Sequence, residues 1–288
     1  MPTLDRITIY PVKSLDGVEV AEARVLPSGG LEHDRRWQLT DLEGRVVNAK
    51  RSPRFHAIRA EFDLEARLVS LSRWSDPPAR PAATFPLVPG PDGPCGWLAE
   101  ALDLPVLLHE RPDGGFPDDR EAPGPTLVAT ASLVEVGRWF GLGLDEVRRR
   151  FRANLEVGDC DAFWEDTLAS PFRPELAPSL LDLPADLPVD PYADLPPPEP
   201  RAFTIGDVCF RATNVCRRCV VPSRDSRTGA VVEHFRDIFE ARRRRGLRPD
   251  VDAGVWGTLY RLGVNTVTAD HGGHLAVGAV ATAVRGVS

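Results

Sequence analysis

The sequence predicts a mainly β protein with a few helices, an α+β fold that opens with a barrel-like domain. Three features lead there. Short β-branched or alternating runs fill the first third of the chain, polar turns ending in Gly join neighbouring runs into hairpins, and stretches with helical spacing are brief. Closely spaced strands of this kind favour a barrel or small sandwich over a βαβ unit.

In chain order, LDRITIY (4–10), VEVAEARV (18–25) and RRWQLT (35–40) read as strands. The last of these continues through an acidic turn closed by Gly44 into RVVNAK, a hairpin pattern, and HAIRAEFDLEARLVSLS (56–72) suggests a second hairpin. CGWLAEALD (95–103) is a short helix, and RPDGGFPDDREAPGP (111–125) has the Gly, Pro and Asp content of a linker. Beyond it, Ser132 and Glu135 have the spacing of a capping box at the start of an amphipathic helix that Gly141 ends. LDEVRRRF (144–151) is a second helix leading into the strand-like RANLEVG. Residues 169–201 are proline-rich and read as an extended insertion. AFTIGDVCFRAT (202–213) and HLAVGAVATAV (274–284) return to strand patterns, and FRDIFEARRRR (235–245) reads as a surface helix.

Composition narrows the function classes. Forty-two acidic against 35 basic residues give a net charge of −7, which excludes the electrostatic footprint of a nucleic-acid binder and favours small solutes and protein partners. The run Arg242–Arg245 is therefore read as a solvated or partner-facing face. The first residues lack a basic and then apolar leader, and no long apolar run follows, so a cytoplasmic protein with no membrane partner is expected. Five scattered cysteines, Cys95, Cys160, Cys209, Cys216 and Cys219, point to reduced thiols rather than a disulfide framework.

The chemistry concentrates in NVCRRCVVPSRDSRTG (214–229). Its C-x-x-C pair could be half of a zinc site, a redox dithiol, one thiolate ligand for a softer metal, or packing. Structural zinc needs a second pair, here only the scattered His234, His271 and His274. A thioredoxin-like dithiol belongs in a βαβ setting that this stretch lacks. Arg217 and Arg218 beside Cys219 favour thiolate over thiol, which makes one soft ligand the better reading for at least one of the two cysteines. Elsewhere, Lys13 and Ser14 follow a strand, Arg35 and Arg36 follow a Gly pair, and Arg152 and Asn154 stand in FRANLEV. Lys offers a point charge and Arg a planar fork of donors, the chemistry that holds a phosphate.

The motifs ITIYPVKSLDGVEV, GGLEHDRRWQLTDLEGRVVNAKR, FRANLEV, DAFWEDT, IGDVCFR, CRRC with DSRTG, and LGVNTVTADHGGHLAVGA occur in order along the chain. Together they resemble the MOSC proteins (molybdenum cofactor sulfurase C-terminal) that carry an N-terminal β-barrel domain, the group that includes amidoxime-reducing components and their bacterial relatives. The resemblance implies an N-terminal β-barrel domain over 1–110, a linker at 111–125, and a MOSC β-barrel domain with a few flanking helices over 126–288. It further implies a molybdenum atom held by the dithiolene of molybdopterin and by Cys219, the second cysteine of the pair. The cofactor's phosphate would then lie among Lys13, Ser14 and Arg35, with Arg152 and Asn154 touching the pterin or its tail and Arg218 also among the cofactor-binding residues. Asp166 and Asp225 match acidic positions of the family with no assigned role.

Two departures bear on function. Val221-Pro222-Ser223 follows the ligand cysteine where threonines are common, so Pro222 removes a backbone donor near the metal. The chain also lacks a four-cysteine ferredoxin motif, so electrons are expected from a separate flavoprotein or iron–sulphur protein. The resemblance thus implies a molybdenum oxidoreductase that reduces N-hydroxylated or N-oxygenated small molecules. A second class stays open: MOSC domains also occur fused to pyridoxal-phosphate cysteine desulfurases, and a Cys219 persulfide could carry sulphur. Lys13, in its Lys-Ser setting beside Arg35, reads as phosphate binding rather than as a Schiff-base lysine.

Overall fold

The computed structural model describes residues 1–77, 79–169, 202–248, 251, 253–268 and 272–283. The proline-rich insertion, apart from Ala169, and His271 lie outside the described residues. The chain begins with strands β1 (Thr3–Ile9), β2 (Val18–Val20), β3 (Glu22–Val25), β4 (Trp37–Thr40), β5 (Val46–Val47), β6 (Ile58–Asp63), β7 (Leu68–Arg73) and β8 (Ala83–Pro86). Helix α1 (Cys95–Leu102), β9 (Leu107–Glu110), β10 (Leu127–Ala129), α2 (Thr130–Phe140), α3 (Leu144–Phe151), β11 (Leu155–Gly158) and α4 (Asp166–Ala169) follow. The last third holds β12 (Ala202–Ile205), β13 (Val208–Arg217), α5 (Phe235–Arg245), β14 (Arg261–Thr268), β15 (Gly273–Ala276) and β16 (Ala281–Ala283). The mainly β class with some helices holds.

Both hairpins form where alternation and turn residues place them. Leu39 opposes Val47 across a turn in which Gly44 takes φ 77°, and β6 pairs with β7 from Ile58↔Arg73 to Asp63↔Leu68. Their inward residues Leu39, Val47, Ile58, Ala60, Val69 and Leu71 join Trp37, Phe55, Leu98 and Leu108 in one core cluster. Strand β1 belongs elsewhere. It pairs with β11 and β2 inside an eight-stranded sheet ordered β16-β12-β13-β14-β10-β11-β1-β2, so the start of the chain is hydrogen-bonded to strands from its second half. Leu4 N bonds Ala279 O at 2.8 Å and Ala281 N bonds Pro2 O at 2.8 Å, drawing the β16 end back towards β1. Strands β10 and β11 run parallel, and parallel neighbours need a long crossover, here supplied by α2 and α3. Among the described residues, no helix is long and apolar enough to cross a membrane.

Two local readings are corrected by tertiary contacts. Ser132 is not an N-cap: α2 begins at Thr130, and the Ser132 hydroxyl donates to Glu165 Oε2 at 2.9 Å while accepting from Phe163 N at 2.6 Å. Glu135 bonds Trp139 and Arg138 instead of the helix start. Gly141 does end the helix, in the left-handed conformation at φ 64°. Helix α5 is not simply a surface helix, because Phe235, Phe239 and Arg243 share a buried stripe at i, i+4, i+8 spacing. Arg243 is 0 % exposed, its Nη2 lies 2.5 Å from Asp166 Oδ2, and its guanidinium sits 4.0 Å over the Phe163 ring. Arg242, Arg244 and Arg245 remain exposed.

Glu165 neighbours this pair and is itself fully buried. Burial, and then the charge of Asp166, push its pKa up to about 8. A raised carboxyl pKa means that the folded chain keeps a proton that the unfolded chain has released, so stability falls as pH rises between the two values. Urea midpoints measured near pH 5 and about pH 9 are expected to drop in the native protein by an amount worth a few kcal/mol and to drop markedly less in Glu165→Gln. An equal fall in both proteins removes Glu165 as the cause.

Candidate functional site

The site is assembled by chain segments held in uncommon backbone conformations. After β1, Lys13 N bonds Trp37 O at 2.8 Å, and Ser14 takes φ 76° with its hydroxyl accepting from Ala49 N at 3.0 Å. Arg35, at φ 48°, donates its backbone N–H to Tyr10 O at 2.7 Å. Arg152 is the left-handed cap of α3 at φ 55°. A left-handed L-residue costs about 1–2 kcal/mol, and such strain collects where side chains must be aimed. Here the strain aims three of the residues selected from sequence at one place.

That place is a cavity of about 360 Å³ lined by Lys13, Ser14, Arg35, Arg152, Arg218 and Cys219 together with Lys50, Asp118, Arg120, Arg150, Cys216, Arg217, Pro222 and others. Lys13 Nζ contacts Asp118 Oδ1 at 3.0 Å and the carbonyls of Phe116 and Pro117 at 3.3 and 3.5 Å. Arg35 pairs with Asp34 through Nη1 and with Asp118 through Nε at 3.3 Å. Burial opposes the Arg35 charge, but Asp34 and Asp118 outweigh it and raise the pKa. Arg152 differs: its guanidinium lies 4.1 Å over the Tyr10 ring, and burial lowers its pKa. A cation in that position gains from an anion in the cavity.

Asn154 is placed one layer back from where the sequence puts it. It is 1 % exposed; its Nδ2 donates to Thr8 O at 3.0 Å and Asp34 Oδ1 at 2.9 Å, and its Oδ1 accepts from Arg35 Nη1 and Thr126 N, each at 3.3 Å. With its amide spent on protein partners, Asn154 braces Arg35 and does not line the cavity.

The thiols come from the end of β13. Cys216 is its penultimate residue, and Cys219 follows in the turn before a 3-10 segment at Val221–Ser223. Cys219 packs against the core around Trp37 and Leu98, and both thiols line the cavity. Arg218 faces Cys216 rather than Cys219: its Nη1 lies 3.2 Å from Cys216 Sγ, and its Nη2 donates to Phe151 O. The turn after Cys219 is fixed independently. Arg150 Nε bonds Glu146 Oε1 at 2.6 Å while its Nη1 reaches Pro222 O at 3.5 Å, and Arg224 Nη1 donates to Ala49 O at 2.6 Å. Asp225 closes its own turn by accepting from Thr228 N and Oγ1, each at 2.8 Å, and Asp166 is spent on Arg243 away from the cavity.

Comparison with known proteins identifies the first part of this assembly. Residues 1–84 match the family model described as the MOSC N-terminal beta barrel domain. The first 84 residues are thus similar to that domain. Over 253 residues it is 25% identical to the molybdenum cofactor sulfurase of Drosophila erecta, covering 79% of this chain and 28% of that protein. It is 28% identical over 272 residues to the molybdenum cofactor sulfurase of Danio rerio, covering 83% and 30%. The mitochondrial amidoxime-reducing component 1 of Homo sapiens is 26% identical over 266 residues, covering 80% and 68%. The chain therefore spans under a third of these two sulfurases.

Lys13, Ser14 and Arg35 lie within the matched residues 1–84, and Arg152, Arg218 and Cys219 beyond them, so the cavity is lined from both parts of the chain. The segment from Pro117 to Gly124 was not legible as a cavity wall, because Gly, Pro and Asp there carry only a linker signal. Nothing local marks Asp118, whose basic partners Lys13 and Arg35 are distant in the chain. Burial opposes the Asp118 charge, but Arg35 and Lys13 outweigh it and hold the carboxyl well below the usual range.

Proposed function

We propose that the cavity holds a molybdenum cofactor and that the protein is an oxidoreductase acting on N-hydroxylated or other N-oxygenated small molecules. The observation that carries this reading is the meeting of a thiol, Cys219, with the cations Lys13, Arg35 and Arg152 in one cavity. The donor set fits: a thiolate suits a soft metal, and the cations suit the phosphate of a pterin. When bound, the cofactor would supply a metal centre able to take an oxygen atom from substrate and be restored by two electrons, chemistry that no side chain performs alone. The balanced conversion is R–NHOH + 2e⁻ + 2H⁺ → R–NH₂ + H₂O, with electrons from a separate flavoprotein or iron–sulphur protein.

In this reading each residue has a distinct task. Cys219 binds the metal as thiolate, and the turn anchored by Arg150 and Arg224 fixes where that sulphur points. Lys13 and Arg35 hold the phosphate, while Arg152, stacked on Tyr10, presents its charge to the pterin or its tail. Pro222 leaves the wall beside Cys219 without one N–H donor, which shapes the substrate side of the cavity.

Loss of one charge-assisted contact is worth about 1.5–3 kcal/mol, or roughly ten- to a hundredfold in retention. Lys13→Ala is expected to be purified depleted of pterin to that degree with unchanged melting of the cofactor-free protein, because among the described residues the Lys13 side chain bonds only the 116–118 segment and its backbone bond to Trp37 is kept. Arg35→Ala is expected to lose pterin and also some stability, since Arg35 is tied to Asp34 and Asn154. Full pterin occupancy in both variants contradicts the assignment.

A second reading, sulphur transfer through a Cys219 persulfide, is supported by the naming of two of the three compared relatives as sulfurases. Persulfide accumulating on Cys219 in protein devoid of molybdenum and pterin would favour it.

A further inference from the structure

The cationic pair read above as a phosphate seat already holds an anion, and the chain supplies it. Asp118 places Oδ1 3.0 Å from Lys13 Nζ and Oδ2 3.3 Å from Arg35 Nε. Its side chain is 50% exposed, so one side of the carboxylate rests on the cations and the other faces solvent. The chain leading to it is pinned. Phe116 N donates to Arg35 O at 2.8 Å, and Gly115, at φ 62°, lies so close to the Asp34 and Arg35 carbonyls that an added Cβ would stand 2.5 and 2.7 Å from them. Past Phe116, this stretch meets the seat through Lys13 and Arg35, and beyond the seat Asp119 Oδ2 accepts from Asn265 Nδ2 at 3.2 Å while Ala122 is buried, so these contacts must also give when the strap lifts.

We propose that Asp118 is an internal substitute for the ligand's phosphate and that the stretch from Pro117 to Ala122 is a strap, hinged at Gly115–Phe116, which must lift before an anionic ligand can take the seat. This rests on the reading of Lys13 and Arg35 as an anion seat. Its consequence is selectivity. A singly charged anion gains nothing over the carboxylate it would displace, which is already tethered beside the cations at high effective concentration. A phosphate dianion carries more charge and enough oxygens to accept from both cations at once, so it can win the exchange. Asp118 thereby discriminates by charge among ligands that would otherwise fit the cavity. Because Arg35 and Lys13 hold its carboxyl ionised through the neutral range, the strap yields to a competing anion and not to mild acid.

The test uses the full chain freed of cofactor, with inorganic phosphate as probe and acetate as the monoanion control, followed by calorimetry and by hydrogen exchange of the peptide covering 117–122. In the native protein, phosphate is expected to bind where acetate does not and to raise exchange in that peptide. Asp118→Asn, which keeps the shape and removes the charge, is expected to bind phosphate about tenfold tighter, to accept acetate, and to exchange fast without any ligand. Phosphate affinity that is unchanged or weaker in Asp118→Asn overturns the proposal, as does phosphate binding without a change in exchange, or no phosphate binding in either protein. Phosphate that binds Lys13→Ala as well as the native chain shows that the seat itself is misassigned. Because the probe is phosphate alone, a failure to find molybdenum or pterin in cell-made protein would refute the proposed function without touching this result.

Discussion

Cys219→Ala is expected to abolish metal retention and reductase activity while leaving the melting temperature of the cofactor-free protein unchanged, and Cys216→Ala is expected to keep most of both. The asymmetry follows from how each sulphur is used. Cys219 lines the cavity in a turn whose position is set by other contacts, from Arg150 to Pro222 and from Arg224 to Ala49, so the fold does not depend on its thiol. Cys216 is occupied by Arg218 at 3.2 Å, and that guanidinium keeps its bonds to Phe151 O and Leu262 O when the sulphur is removed. Losing one such contact costs about 1 kcal/mol. Molybdenum content, activity with a chemical reductant and an N-hydroxylated substrate, and thermal melting measured side by side check it. Equal loss in the two variants would point to a dithiol or a shared metal site.

The largest stability effect is expected away from the cavity, at Arg243 and Asp166. Both are 0 % exposed, and removing one member of a buried ion pair typically costs 3–5 kcal/mol because the partner's charge stays buried. Arg243→Met is therefore expected to lower the melting temperature by on the order of 10 °C near neutral pH. It leaves the Asp166 carboxylate buried without the guanidinium, and a buried carboxylate that has lost its cation takes up a proton more readily, so the loss is expected to shrink in mildly acidic buffer. Asp166→Leu combined with Arg243→Met is expected to recover much of the loss. Melting of the single variant that matches the native protein at neutral pH would show that the pair contributes nothing net.

What the sequence disclosed, and what it hid, divides along the range of the interaction. The β4–β5 and β6–β7 hairpins were legible because alternation and a Gly turn are local signals, and so was the end of α2 at Gly141. The pairing of β1 with β11 was not, since Leu4↔Val157 joins residues that no local pattern links. Ser132 and Glu135 had capping-box spacing, yet the hydroxyl turned to Glu165 across the fold. Arg243 was indistinguishable by type from the exposed arginines on either side of it, and only the register of Phe235 and Phe239 sets it inside.

The site was more legible than its surroundings. Lys13, Ser14, Arg35, Arg152, Arg218 and Cys219, chosen for charge and softness, line one cavity. Asn154 was drawn to the right neighbourhood but spends its amide on Asp34, Thr8, Arg35 and Thr126, a difference of a few ångströms that composition cannot express. Asp118 was hidden because its segment has the composition of a linker, and a loop's tertiary contacts leave no periodicity to read.

The central claim, that the cavity is a molybdenum-cofactor site, is tested most directly by quantifying molybdenum and pterin in the unaltered full-length chain purified from cells that make the cofactor. The account predicts both, in equal amounts and in stoichiometric proportion to protein; protein that carries neither, from cells in which another molybdenum protein is fully loaded, would contradict it.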